Sequence, residues 1–229
     1  MNLVFVGCEY AGKSTIAARV MEWAEETLGG TSHFHDHMSV PSSELTPEAQ
    51  DSLAQAHPQV LEMFQRYMID YHVSEGFYGN EDHNLMGLVI EEAVYAPLYY
   101  GYGGRDSAAP ERSPEGQRTK MARMIEATML ERCPGTVQVL FKAAPEVIKA
   151  RMAAAPHRHQ LVREEDVEQV LERFEEEFAA SLIQRRFVLD TTAATEEETM
   201  AEFVARYEPF HTEADRERLR HRREAAGQG

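Results

Sequence analysis

The chain has 229 residues, a formal net charge of −16 and 43% hydrophobic residues, enough for one domain with a sizeable core and a lid, but not for two independent domains. The acidic balance opposes nucleic acid polymers, whose backbones it repels, and no apolar run approaches the ~18 residues of a membrane helix. Only Cys8 and Cys133 are present, and with no basic stretch or cleavage signal ahead of the first strand, the expected location is a reducing cytoplasm, neither secreted nor membrane-bound.

In chain order, the apolar run Leu3-Val4-Phe5-Val6 reads as a buried strand and leads directly into Gly7-Cys8-Glu9-Tyr10-Ala11-Gly12-Lys13-Ser14. This matches G-x-x-x-x-G-K-[ST], a phosphate-binding P-loop. A glycine-rich turn aims successive backbone N–H groups at phosphate oxygens, and the following helix adds the positive end of its dipole. Lys13 would reach the outer phosphates, and Ser14 would place its hydroxyl on the Mg²⁺ that a nucleoside triphosphate carries. Gly7, Tyr10, Ala11, Gly12 and Thr15, just inside the helix, complete the expected nucleotide-binding set.

Ile16, Val20, Trp23 and Leu28 then recur at helical spacing, and Gly29-Gly30 stops the helix. A second strand is expected over 32–36, followed by a Pro/Ser loop and a polar helix over 39–56. The helix over 57–71 carries Val60, Leu61, Phe64, Tyr67, Met68 and Tyr71 on its expected buried stripe. A polar loop over 72–84 precedes a third strand over 85–90, apolar throughout as a strand covered on both faces should be. Residues 101–113, rich in Gly, Pro, Arg and Asp, read as a mobile loop.

A helix over 114–132 leads to a fourth strand over 137–141, and Pro145 opens a helix to about residue 154. Residues 155–160 break the pattern before a long helix with Val167, Val170, Leu171, Phe174, Phe178 and Leu182 on one side. The fifth strand is expected over 187–189. Thr195 and Glu198 form a capping box for a helix that buries Met200, Phe203, Val204 and Tyr207. The charged tail, 211–229, reads as a frayed helix or disordered. Strands alternating with helices predict an α/β fold: a five-stranded parallel sheet with helices on both faces, and ligands at the carboxyl ends of its strands.

Further motifs follow the P-loop in order. Asp36 ends strand two, Phe64-Gln65-Arg66-Tyr67 lies on the helix over 57–71, and Ile90-Glu91-Glu92-Ala93 closes the third strand. Over residues 1–208 this order resembles the P-loop kinases of nucleosides and nucleotides, above all the deoxynucleoside kinases and their thymidylate-kinase relatives. Those families place a general-base carboxylate after strand two, an F-Q-x-Y-like motif on a helix and an E-R-S motif after strand three. The resemblance implies a three-layer P-loop NTPase fold over 1–210, with an acceptor-side helical region over 39–84 and a small lid over 155–163. It also implies Mg²⁺ assistance from Glu91. Glu92 stands where the motif has arginine and Ala93 where it has serine.

Asp36 faces the phosphate loop if strand two ends there, and is then a candidate general base for a hydroxyl acceptor, a role that a phosphate acceptor does not need. A turn or capping aspartate and a water-mediated Mg²⁺ contact are its alternatives. The run His33-Phe34-His35-Asp36-His37 suggests a metal site, against which stands the expectation that His35 points away from His33 and His37. Gln65 and Tyr67 are candidate contacts to a nucleobase edge, and Arg66 to an acceptor phosphate. Glu92 either contacts the acceptor, caps the following helix or pairs with an arginine, and Arg118, beside Lys120 and Arg123, is a candidate to supply the arginine missing after Glu91. In the lid, Arg158, with His157 and Arg163, is the candidate to neutralise charge on the transferring phosphoryl group, and Arg151 faces the same region.

The expected activity is transfer of the γ-phosphoryl of ATP, with GTP not excluded, to a hydroxyl of a small nucleoside-like or other polar acceptor. A nucleoside monophosphate kinase is the second reading. A nucleotide-dependent switch is the third, although no N-K-x-D-like guanine-reading motif is present. A homodimer is a possible assembly, since nucleoside kinases of this kind often pair through helices.

Overall fold

The computed structural model describes residues 1–29, 32–36, 40–42, 44–74, 82–103 and 117–225. The element order is β1 (Asn2–Gly7), α1 (Lys13–Thr27), β2 (Ser32–His35), α2 (Pro47–Ala54), α3 (Pro58–His72), β3 (Asp82–Met86) and α4 (Leu88–Tyr95). A π-helical turn, Ala96–Tyr100, continues α4. Then come α5 (Gln117–Arg132), β4 (Val137–Lys142), α6 (Pro145–Ala154), α7 (Val167–Ala180), β5 (Arg186–Asp190), α8 (Glu196–Tyr207) and α9 (Glu213–Ala225).

The five strands form one sheet in the order β2-β3-β1-β4-β5, and every pairing is parallel. β1 is central, which is why Leu3, Val4, Phe5 and Val6 are all buried. Right-handed crossovers send the β1-to-β2 connection to one side of the sheet and the β3-to-β4 and β4-to-β5 connections to the other. Accordingly α1 packs against α8, while α4 packs against α5 and α7. Phe5 lies between these layers, with ring centroids 5.7 Å from Phe141 and 6.4 Å from Phe203. Local chemistry sets the helix starts: Pro stands in the first turn of α2, α3 and α6, and Thr195 with Glu198 closes the capping box of α8.

Four expectations are corrected. The third strand spans Asp82–Met86 rather than 85–90, and the apolar run Leu88-Val89-Ile90 is the first turn of α4. A short apolar run does not distinguish buried strand from buried helix; the break comes at Gly87 and Leu88, both at positive φ. The buried stripe of α3 is Leu61, Gln65, Ile69 and His72, whereas Val60, Tyr67 and Tyr71 are exposed. His33 and His35 share a face, since alternate residues of a strand do, and their rings stack at 6.2 Å with His83 beside both. His37 lies outside the described residues, and among those described no three such side chains form a metal-ligand set.

The tail is the fourth correction. Glu213–Ala225 is a helix docked on the sheet's amino-terminal end, with Asp215 fully buried. Arg218 donates to Asp82 at 2.7 Å, and the amino group of Met1 pairs with both Asp82 and Asp215. Charge pairing holds this element where apolar patterning gave no sign of it. Of the loop expected over 101–113, residues 104–113 lie outside the described residues. No helix among the described residues is long and apolar enough to cross a membrane.

Candidate active site

The P-loop leaves the carboxyl end of β1 in a backbone path that its residues dictate. Gly7 has φ 145°, and a Cβ there would lie 2.4 Å from the Phe141 carbonyl oxygen of β4, so only glycine permits this approach. Tyr10 and Gly12 both take positive φ, at 64° and 85°. Ala11 N–H donates to the Cys8 carbonyl at 3.2 Å, and α1 then starts at Lys13.

Lys13 donates to the Gly7 carbonyl and to the Glu91 carboxylate. Glu91, in the first turn of α4, is 6% exposed. Burial pushes its carboxyl above the usual range, Lys13 opposes this, and the charge of Asp36 adds to the upward push. Cys8 is buried in the same loop, and burial pushes its thiol up to about 12, so it stays neutral and unreactive.

A cavity of about 480 Å³, a size suited to a small ligand, opens over the loop and is lined by Cys8, Glu9, Tyr10, Gly12, Lys13, Ser14 and Thr15. Asp36 from the end of β2, Glu91 from α4, Arg151 from α6 and His157 from the following loop complete much of its wall. The structure thus brings Asp36 and Glu91, distant in the sequence, to the adjacent pair Lys13 and Ser14. Ser14, Asp36 and Glu91 offer hard oxygen donors around one space, a donor set that suits Mg²⁺.

Other sequence-predicted residues lie outside this wall. Glu92 turns from the cavity into a buried pair with Arg118, which donates through Nε at 3.0 Å and sets its Nη2 against the other carboxylate oxygen as an ion pair. Tyr102 packs its ring 5.6 Å from the same guanidinium. Burial pushes the Glu92 carboxyl up, with Arg118 opposing. Gln65 is buried on α3, whereas Tyr67 is exposed and Arg66 pairs with Glu62 at 2.6 Å on the surface. Arg123 pairs with Glu126 and Glu177. Arg158 pairs with Asp51 at 2.7 Å and Arg163 with Asp166 at 2.6 Å.

Several wall residues other than Arg151 escaped the sequence reading. Thr191, just past β5, donates its hydroxyl to the Ala11 carbonyl at 3.0 Å and its N–H to the Lys142 carbonyl at 2.8 Å. Arg151 donates to the carbonyls of Tyr10 and Thr191 at 2.9 and 2.8 Å, clamping the P-loop to the end of β5. Its position at the carboxyl end of a strand was the signal available for Thr191. Ala194, Glu196 and Thr199 extend the wall into α8, and nothing in their local sequence marks them.

A parallel sheet of this order, with the G-x-x-x-x-G-K-S loop after its central strand, is the fold also seen in nucleoside and nucleotide kinases of known structure. Among solved structures, the chain is similar to deoxyadenosine kinase from M. mycoides with dCMP and dCDP bound, at 13% identity and a TM-score of 0.58, covering 92% of this chain and 100% of that one. It is also similar to the YorR protein from Bacillus subtilis in complex with phosphorylated GDP, at 17% identity and a TM-score of 0.53, covering 93% and 99%. Thymidylate kinase from Candida albicans matches at 12% identity and a TM-score of 0.50, covering 91% of each chain. No family model and no curated protein matches the chain. At these identities the likeness is one of fold.

Proposed function

We propose that this chain is a P-loop kinase that moves the γ-phosphoryl group of ATP, or of GTP, to a hydroxyl of a small nucleoside-like acceptor. The observation that carries this reading is the single cavity shared by Lys13, Ser14, Asp36 and Glu91. The backbone N–H groups of the loop and the Lys13 ammonium would hold the phosphates, positioning them and neutralising charge as it develops. Ser14 and Glu91 would hold Mg²⁺, which when bound offsets charge on the phosphate oxygens. To serve the phosphates, the Lys13 ammonium must exchange its Glu91 partner for them, which also frees the Glu91 carboxylate. Asp36, in the wall of the same cavity, would accept the proton of the attacking hydroxyl. Arg158 would reach the transferring group only by leaving Asp51, and Gln65 with the Glu92–Arg118 pair would shape the acceptor side.

The pairing of the arginines favours a hydroxyl acceptor over a monophosphate. Among the described residues, Arg66, Arg118 and Arg123, the candidates to grip an acceptor phosphate, are each engaged by carboxylates. The deciding experiment is ADP release with ATP and Mg²⁺ against nucleosides and related alcohols in one panel and nucleoside monophosphates in the other. Stimulation by an alcohol is expected, and Asp36→Asn should lower it by a factor of about 10² to 10⁴, the range for a lost general base. Stimulation by monophosphates alone, undiminished in Asp36→Asn, would overturn the proposal.

A further inference from the structure

The P-loop holds more than phosphate, because two of its variable side chains point into the segment between α6 and α7. Glu9 accepts, through Oε2, the backbone N–H groups of Leu161 at 3.0 Å and Val162 at 2.9 Å. The Tyr10 ring stacks on His157 with centroids 4.4 Å apart and planes 19° from parallel. Its hydroxyl donates to the Gln160 side-chain oxygen at 2.7 Å and accepts the His157 N–H at 2.9 Å. Gln160 in turn donates to the Val162 carbonyl at 2.9 Å, so the loop is tied internally as well as to the P-loop. The near end of the latch is fixed too: Glu9 N–H donates to the Tyr95 hydroxyl at 3.1 Å, and the Tyr10 carbonyl accepts from Arg151.

These contacts are strong for their kind. Hydrogen bonds from backbone N–H to an ionised carboxylate are roughly twice as strong as neutral ones. Two of them on one carboxylate fix both the height and the register of the loop. Tyr10 makes its contacts from a left-handed backbone position that an aromatic residue rarely takes, and the loop's clamp to Thr191 holds it there. His157, Leu161, Glu9 and Tyr10 all line the same cavity as Lys13 and Ser14.

We infer that Glu9 and Tyr10 are positioning residues that latch the lid, residues 157–162, onto the P-loop, and that opening this latch gates nucleotide exchange. The lid of this chain is therefore held by protein side chains projecting from the phosphate loop itself, so that lid and loop move as a coupled pair. The gating rests on the nucleotide-binding reading above; the latch does not. A triphosphate in the cavity would lie beside the Glu9 carboxylate, and like charges there weaken the latch as they approach.

The test is hydrogen exchange at the Leu161 and Val162 amides of the full chain, together with stopped-flow binding of a fluorescent ATP analogue. In the wild type without added nucleotide both amides should exchange slowly. In Glu9→Ala both should become fast, while Glu9→Gln, which keeps one acceptor oxygen, should restore part of the protection. Association and dissociation rates of the analogue should rise together by roughly tenfold in Glu9→Ala, the factor that about 1.4 kcal/mol of lost latch would give, with the Kd much less changed. Tyr10→Phe, which keeps the stack and removes the hydroxyl, is the milder second variant and should show the same paired rise in smaller measure. A merely structural role would alter stability without this paired change in rates. Equal exchange of both amides in wild type and Glu9→Ala would overturn the latch, and unchanged rates would overturn the gating. A chain that binds no nucleotide would fail the functional reading and the gating with it, while the exchange data would still decide the latch.

Discussion

Asp215 shows how much one side chain does in a segment that reads as solvated. It has no exposed surface; its carboxylate accepts the Thr212 N–H and hydroxyl, each at 2.9 Å, and faces the Met1 amino group at 3.4 Å. Burial alone would push its carboxyl up, but the Met1 ammonium, the Thr212 hydrogen bonds and Arg218 outweigh it and hold the group at about 2. A carboxyl depressed below its unfolded value of about 3.9 binds its proton more weakly when folded. Its contribution is therefore complete above about pH 4 and is lost as pH falls toward 2. Asp215→Asn should cost roughly 2 kcal/mol at neutral pH, and urea unfolding should show wild type and variant converging near pH 2. At the candidate site, Lys13 and Ser14 could be singled out because they close the G-x-x-x-x-G-K-S motif, and Asp36 and Glu91 because their order after it resembles that of the nucleoside kinases. Glu9 and Thr191 carry no local mark, since what they do depends on atoms 40 to 180 residues away in sequence.

The elements differ in how well the sequence announces them. β1, β4 and β5 are legible because each is a short apolar run bounded by turn chemistry, and α8 because its capping box marks its first residue. The third strand misled because Leu85, Met86 and Leu88 to Ile90 form a nearly unbroken apolar run whose division rests on backbone geometry at Gly87. That division moves the two glutamates onto a helix, where adjacent residues point in different directions: Glu91 toward Lys13 and Glu92 toward Arg118. α3 misled in another way, because its buried face uses Gln65 and His72 beside Leu61 and Ile69, and polar residues inside defeat a reading based on apolar spacing. The strand-to-loop junction at Gly7 carries its own expectation. Gly7→Ala would set a Cβ against a backbone carbonyl of β4 at 2.4 Å, with no flexible side chain to give way. Strain at such a position costs of order 1–3 kcal/mol, so denaturant unfolding should show at least that loss together with weakened nucleotide binding.

At the scale of the whole molecule, the proposed function asks a chain of net charge −16 to hold a polyanion, which it would do by local means: backbone dipoles, the α1 amino terminus and Lys13, with Arg151 clamping the loop. Binding to the folded state alone stabilises it by mass action. Mg-ATP at about a hundred times its Kd should therefore add about 2.7 kcal/mol to the unfolding free energy, visible as a rise in Tm that Lys13→Ala abolishes. The alternation of strand and helix, the parallel sheet and the phosphate loop were determined by sequence alone, because hydrophobic periodicity and a glycine-spaced turn act through neighbours a few residues apart. Only the tertiary structure decided that Glu91 and Asp36 share a cavity with Lys13, that Glu92 is spent on Arg118, that the charged tail docks through Asp215, and that Glu9 and Tyr10 grasp the segment between α6 and α7. Each of these is a pairing of polar groups distant in the chain, and such pairings follow from packing geometry and burial rather than from any local pattern.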